Sequence, residues 1–371
     1  MAFYVSDTKE SRLAPGRFAE SKLRILIVRL SAIGDCILTT PLIAAIREHY
    51  PDAHIAWAIE KRAALLLEGH AGVDQFVVVP RHWMKSLRAM RSMRRQLKAS
   101  RFDVVLDPQS LIKSSLLGWL SGAPKRIGFG YPVGRELAPV LNNCRVVPTG
   151  EHLVDRTLEL LKPLGIEHSE AVFDLPQYGA EQSILAFPEN CFGKQKRFAL
   201  VNVGAGWPSK LWPTDRYAEV VRYLGQRYQL PSMVLWYGEE RQTAADLVAN
   251  SSGFGVLAPE TSLRELAALT RRAALFLGSD TGPLHLAAAV HTPSVGLYGP
   301  TRPEHCGPYG FEHLAVQPPG DRTGLKMRNA KDNQSMLQID VSRVCRACDT
   351  LLREESGTPL SQGQLDTATT R

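Results

Sequence analysis

No run of 18 apolar residues occurs anywhere in the 371-residue chain, which excludes a helix that crosses a bilayer. Residues 1–18 carry charges and lack an apolar segment, so no secretory signal is expected and the chain is expected to stay in the cytoplasm. The six cysteines (Cys36, Cys144, Cys191, Cys306, Cys345 and Cys348) are too few and too scattered for a disulfide framework. Only Cys345-Arg-Ala-Cys348 has ligand-like spacing. It lacks a second pair and falls in a helical apolar pattern with Val341, Val344, Leu351 and Leu352, so a helix face is expected rather than a zinc or redox site. No metal-ligand set is visible. Glycine fingerprints are missing as well. Gly128-Phe-Gly130-Tyr-Pro-Val-Gly134 is the nearest match to a dinucleotide loop, but its spacing is off by one and no clean strand–helix unit surrounds it. No P-loop order occurs either.

What is present is a chain rich enough in apolar residues, 44%, to build cores. The 29 glycines and 24 prolines are spread along it, as many short junctions require. The net charge of +7 favours an anionic partner. Leu23–Leu30, His54–Ile59, Gln75–Val79, Phe102–Leu106 and a strand beginning at Arg126 read as buried strands alternating with helices. A helix over Glu151–Leu164 and a Pro- and Gly-bearing stretch to about residue 195 follow. The rhythm then restarts with strands at Phe198–Val203, Ser232–Trp236, Ala274–Leu277 and Ser294–Tyr298. Such alternation predicts two α/β halves with parallel sheets, and a cleft between them as the ligand site. A leader over 1–21, domains over 22–170 and 171–340, a helix over 341–355 and a disordered polar tail over 356–371 are expected.

Four clusters carry chemistry. Ser31-Ala-Ile-Gly34-Asp35 stands between the first strand and the first helix, at the sheet edge where open α/β folds bind ligands. Asp35 there reads either as a helix cap or as a general base for a substrate hydroxyl. Gly204-Ala-Gly206-Trp-Pro-Ser-Lys210 follows a strand. It reads as an ordinary glycine turn, or as a close backbone approach to a phosphate with Lys210 supplying a point charge. Asp280-Thr281-Gly282-Pro-Leu-His285, before an Ala-rich helix, reads as a capped helix start or as an anion site. Arg81–Arg101 holds eight cations and no acidic residue. At helical spacing Arg81, Lys85, Arg88, Arg95 and Lys98 share one face, and Leu87, Met90, Met93 and Leu97 another. That run is either a solvated face or a surface for an anionic acceptor or membrane.

Taken together, Ile25–Asp35, Asp280-Thr-Gly-Pro-Leu-His285, Tyr298-Gly-Pro-Thr301 and Gly307-Pro-Tyr-Gly310 resemble glycosyltransferase family 9, the heptosyltransferases of lipopolysaccharide core synthesis, over residues 23–352. Asp107-Pro-Gln-Ser-Leu-Ile-Lys113 and Gly134-Arg135-Glu136 are most similar to the branch that adds the first heptose to Kdo on lipid A. The resemblance implies a GT-B fold, two Rossmann-like domains facing a central cleft. The N-terminal domain would take the acceptor and the C-terminal one the nucleotide sugar. It implies inverting, metal-independent transfer from ADP-heptose, with no cofactor beyond that donor and no nucleic acid. It implies an anionic Kdo-lipid A-like acceptor and peripheral contact with the inner face of the inner membrane. Carried over, Asp35 is the base and Lys210 stabilises the leaving diphosphate. Gly204, Gly206, Asp280, Thr281, Gly282 and His285 bind the donor, with Glu240 the ribose ligand and Glu239 its rival. Gly34, Arg81, Lys85, Lys113 and Arg135 bind the acceptor, and the last helix folds back on the N-terminal domain. Trp236-Tyr-Gly-Glu-Glu departs from the Gly-Gly-Pro of many members. The competing readings are a transferase with another sugar nucleotide or acceptor, a GT-B-fold sugar-nucleotide epimerase, for which the basic run would be idle, and a nucleic-acid binder, which would leave the Asp280–His285 cluster unexplained.

Overall fold

The computed structural model describes residues 22–177, 182–193, 197–310, 312–320 and 331–354. The expected leader over 1–21 and tail over 356–371 lie outside the described residues. The chain divides into two compact units. One holds the chain up to Ser31 and then Thr39–Asp174; the other holds Ala32–Leu38 and the chain from Leu175.

In the first unit, β1 (Arg24–Val28), β2 (His54–Glu60), β3 (Gln75–Val79), β4 (Val104–Asp107), β5 (Lys125–Phe129) and β6 (Cys144–Val146) form one parallel sheet. Their order is β3-β2-β1-β4-β5-β6. Ile25–Val28 are all fully buried. A parallel strand covered on both faces needs such an unbroken apolar run, not an alternating one. The helices of this unit are α2 (Pro41–His49), α3 (Lys61–Leu67), α4 (Leu87–Ala99), α5 (Ile112–Ser121), α6 (Ala138–Leu141) and α7 (Leu153–Glu159). Met93 and Leu97 of α4 join Leu26, Val28, Val105 and Leu117 in one core cluster.

The second unit repeats the plan. β7 (Ala199–Asn202), β8 (Ser232–Leu235), β9 (Gly255–Leu257), β10 (Leu275–Ser279), β11 (Ser294–Leu297) and β12 (His313–Val316) are parallel, in the order β12-β11-β10-β7-β8-β9. With them go α1 (Ile33–Ile37), α8 (Gln182–Phe192), α9 (Thr214–Tyr228), α10 (Arg241–Ala249), α11 (Leu263–Thr270), α12 (Gly282–Ala289), α13 (Pro303–Cys306) and α14 (Val341–Glu354). The strands β6, β9 and β12 and the helix α9 are not expected from the sequence pattern. β6 and β9 have only three residues each, and α9 breaks its apolar positions with charges.

Four expectations are corrected. The boundary falls between Asp174 and Leu175 rather than at 170, and Ala32–Leu38 groups with the second unit. The first helix expected after β1 is two helices, because Pro41, which lacks an N–H, opens a new one as its first residue. The last helix, expected against the N-terminal half, packs in the core of the second unit. Val344, Cys348, Leu351 and Leu352 of α14 sit in the core of the second unit with Tyr217, Val221 and Leu224. Asp349 fastens α14 to α9 by accepting from the hydroxyls of Tyr223 and Tyr228, both at 2.7 Å. Cys345 and Cys348 therefore occupy a helix face. Finally, the basic run is not one helical face. Ser86 is extended (φ −131°, ψ 117°) and caps α4, its Oγ accepting from Ala89 N–H at 3.3 Å. Arg81 and Lys85 precede that cap, Lys85 in a 3-10 turn, and Leu87 is 70% exposed instead of joining Met93 and Leu97.

Candidate active site

Strand order in the second unit reverses between β7 and β10, and the loops leaving the carboxyl ends of these two strands carry most of the expected donor residues. A reversal of this kind opens a crevice at the sheet edge in open α/β folds. β10 ends at Ser279, and the next residue, Asp280, is 6% exposed. Its carboxylate has three side-chain partners. Lys210 Nζ donates to Oδ2 at 2.5 Å, Thr301 Oγ1 donates to Oδ2 at 2.8 Å, and His285 Nε2 lies 3.2 Å from Oδ1. Lys210 also donates to the Asp280 carbonyl at 3.0 Å. Burial by itself would push this carboxyl up. The His285 hydrogen bond and the charge of Lys210 outweigh it and hold the group well below the usual carboxylate range. Asp280 is thus an anion at neutral pH that fixes the lysine in place. His285 Nδ1 is buried with no hydrogen-bond partner among the described residues.

Thr281 precedes α12 in an extended conformation, but its hydroxyl does not cap the helix. It donates to Ser279 O at 3.1 Å and lies 3.4 Å from Asn202 Nδ2, which also donates to Gly204 O at 2.9 Å. Asn202 therefore links the two loops. Gly204 packs directly on the Glu240 carboxylate, where any side chain would collide. Glu240 Oε2 accepts from Tyr237 N–H at 3.0 Å, whereas Glu239 is exposed. Of the two rivals, Glu240 stands at the loop. Gly206 is exposed, with open space around its Cα. Thr301 and Asn202 are the site residues that sequence reasoning missed. Thr301 lay within a quoted motif; Asn202 ended a strand with nothing to mark its amide.

α1 and α12 meet at Gly34. A methyl group there would overlap the His285 ring, and Gly282 would place its own within 3.5 Å of Ile33. Gly34, expected at the acceptor, thus packs against the His285 ring within the second unit. Its neighbour Asp35 is half-buried as the third residue of α1, not in a preceding turn, and its Oδ2 accepts from Ala32 N–H at 3.3 Å. Gly34→Ala is expected to displace His285 and cost about 1–3 kcal/mol, since extra volume in a packed site is destabilising. A thermal melt and nucleotide titration check this; unchanged values for both would refute the close approach.

The first unit has its own reversal, between β1 and β4. Gln109 Oε1 accepts from Leu30 N–H at 2.9 Å and Arg29 donates to Pro108 O at 2.9 Å, joining the loops. Lys113, on the first turn of α5, donates to Ser31 Oγ at 3.0 Å and lies 3.7 Å from Glu60 Oε1. Asp107 is fully buried beneath these loops. It accepts from Ser110 N–H at 2.9 Å, Ser115 Oγ–H at 2.5 Å and Asn142 Nδ2–H at 3.1 Å, and burial pushes its carboxyl up. Ser110 O in turn accepts from Arg135 N–H at 3.1 Å, and Glu136 accepts from Ile112 N–H at 2.8 Å. Lys113 and the Arg135 loop are so brought to one sheet edge. The side chains of Arg81, Lys85 and Arg135 are exposed, and no contact among the described residues joins them to Lys113. No group of three or more His, Cys, Asp or Glu side chains among the described residues is arranged to hold a metal.

Comparison with known proteins agrees with this arrangement. Glycosyltransferase family 9 (heptosyltransferase) matches over residues 90–331. Lipopolysaccharide heptosyltransferase 1 of Salmonella typhimurium is 29% identical over 311 residues, 80% of this chain and 95% of that protein. Its namesake from Pseudomonas aeruginosa is 29% identical over 78% of this chain and 82% of its own. Among solved structures, a family 9 glycosyltransferase from Veillonella parvula superposes with a TM-score of 0.74, 23% identity and coverage of 90% and 97%. The E. coli heptosyltransferase WaaC with ADP-2-deoxy-2-fluoro heptose gives 0.69, 24%, and 90% and 100%. These likenesses establish the expected GT-B fold, with its two Rossmann-like units. The match over residues 90–331, covering the Lys210–Asp280–His285 cluster, shows that the chain belongs to glycosyltransferase family 9, the heptosyltransferases.

Proposed function

We propose that this enzyme moves a heptose from ADP-heptose to the Kdo and inner-core region of a lipopolysaccharide precursor, with inversion and without a metal. The observation that carries the reading is the Lys210–Asp280–His285 cluster packed through Gly34 against the helix that bears Asp35. Asp35 takes the proton of the acceptor hydroxyl. The oxygen then bonds to the anomeric carbon as that carbon's bond to the diphosphate breaks, so the configuration inverts in one displacement. ADP leaves with the bonding electron pair. Lys210, aimed by Asp280, and the start of α12 at Thr281 and Gly282 stabilise the charge that develops there. Glu240, beside Gly204, binds the ribose. Lys113 and Arg135, with Arg81 and Lys85, hold the carboxylates and phosphates of the acceptor as charge-assisted pairs.

The test is thermal stabilisation by ADP, ADP-heptose, UDP, GDP, TDP and NAD in the presence of EDTA. A ligand that binds only the folded state raises the melting temperature, by about 2.7 kcal/mol of stability at a hundred times its dissociation constant. Selective stabilisation by ADP and ADP-heptose is expected. Preference for UDP or TDP would move the chain to another sugar nucleotide, and an absolute need for a divalent metal would overturn the metal-free reading.

A further inference from the structure

Ser110 and Glu136 both hold a left-handed backbone, with φ of 44° and 57°, although neither is glycine. A side chain in that region is strained, and the strain persists only where the surrounding bonds over-determine it. Ser110 is held from the core. Its N–H donates to Asp107 Oδ1 at 2.9 Å and its hydroxyl to the Asp107 carbonyl at 2.7 Å. The same Oγ accepts from Phe129 N–H at 2.8 Å. Asp107 is fixed in turn by Ser115 Oγ and Asn142 Nδ2, and all four of these polar side chains are fully buried. Such a cluster adds little stability over apolar side chains of the same shape; what it adds is a fixed geometry.

That geometry reaches the surface through two reciprocal bonds. Ser110 O accepts from Arg135 N–H at 3.1 Å, and Glu136 Oε2 accepts from Ile112 N–H at 2.8 Å. The Ile112 N–H is the first of α5, a donor that a helix leaves without an intrahelical partner, and a carboxylate there complements the helix dipole. Lys113 follows Ile112, and Arg135 precedes Glu136. The two bonds therefore tie together the backbones that carry these two cations.

We propose that Asp107 and Glu136 are positioning residues. One from the core and one from the surface, they fix the separation of Lys113 and Arg135 and so fit the site to an acceptor with two anionic groups at a set spacing. The inference rests on the reading above for the assignment of Lys113 and Arg135 to the acceptor.

The experiment is steady-state kinetics of the full chain with ADP-heptose and a deacylated Kdo-lipid A acceptor, with melting curves alongside. Glu136→Ala, an exposed change that leaves the core intact, is expected to raise the acceptor KM about tenfold, the equivalent of one charge-assisted hydrogen bond. Saturating turnover, the ADP-heptose KM and the ADP-induced thermal shift are expected to stay at the parent values, because Asp35, Lys210 and the donor loops belong to the other unit. Glu136→Gln, whose amide oxygen still accepts from Ile112 N–H, is expected to restore the parent KM. Asp107→Ala is expected to give the same rise in acceptor KM with a lower melting temperature. Asp107→Asn is expected to recover most of it. Its Oδ1 keeps the Ser110 N–H, and Asn142 Oδ1, buried with no hydrogen-bond partner among the described residues, can accept from the new amide once the Asn142 amide turns over. Where Asp107→Ala does not fold, the Glu136 pair decides. A parent acceptor KM in Glu136→Ala, a rise in both KM values together, or a defect that the glutamine variant fails to repair would each overturn the proposal. No transfer to this acceptor by the parent chain would instead overturn the acceptor reading, and the proposal would fall with it.

Discussion

Asp35→Asn is expected to lower turnover by about 100- to 10,000-fold while ADP-heptose binds as before. The asparagine is the informative change. Asp35 Oδ2 accepts from Ala32 N–H, the reciprocal arm of a helix-start motif. An asparagine oxygen can keep that bond, so α1 stays in place, but it cannot take a proton from the acceptor hydroxyl. Asp35→Ala removes both roles and adds about 1 kcal/mol of lost capping. Both variants should therefore lose turnover alike, with only the alanine melting earlier. Steady-state kinetics against both substrates checks this. Near-normal turnover in the asparagine variant would mean that Asp35 is a cap and that the base lies elsewhere.

Lys210→Met is expected to damage both stability and transfer. The side chains of Lys210 and Asp280 are 12% and 6% exposed. Removing one partner of such a buried pair leaves an uncompensated charge, at a cost on the order of 3–5 kcal/mol. The loss has a pH signature. Asp280 titrates below the usual carboxylate range in the folded protein, so its contribution is complete above the unfolded-state pKa and is lost only as pH falls through the lower folded value. Without Lys210 the folded carboxyl keeps the His285 hydrogen bond but loses the lysine's charge and hydrogen bond, so it titrates higher and acid unfolding begins at a higher pH. Transfer should fall by about 100- to 1,000-fold, as for a lost electrostatic stabiliser. Lys210→Met combined with Asp280→Asn should recover the stability, since the unpaired charge is gone, but not the transfer. Recovery of turnover in the double variant would reduce Lys210 to a structural partner of Asp280.

The parts of this site legible in the sequence were those written locally. β1, β7 and β10 announce themselves as unbroken apolar runs, and the residues just past their ends, Asp280 and Thr281 among them, follow at once. The parts that stayed hidden depend on residues distant in sequence. Nothing local says that Thr301 reaches back to Asp280, or that Glu240 rather than Glu239 lies against Gly204. The allegiance of α14 was hidden for the same reason. Its apolar stripe calls for a partner surface but does not say which, and the tyrosines of α9 that accept it lie more than a hundred residues earlier. The basic run failed differently. Helical spacing was extended through Ser86, a residue whose hydroxyl does better by ending the pattern than by continuing it.

The membership of Ala32–Leu38 in the second unit has a consequence for synthesis. These residues leave the ribosome early, yet the helix they meet, α12, is made about 250 residues later, a delay of roughly ten seconds or more at ordinary elongation rates. The first sheet can pair its strands in that interval, but the segment carrying Asp35 has nothing of its own unit to close on. The nascent chain therefore seats the Asp35 segment only once α12 has emerged, and a fragment that begins after Leu38 would make the second unit without the backbone that covers His285.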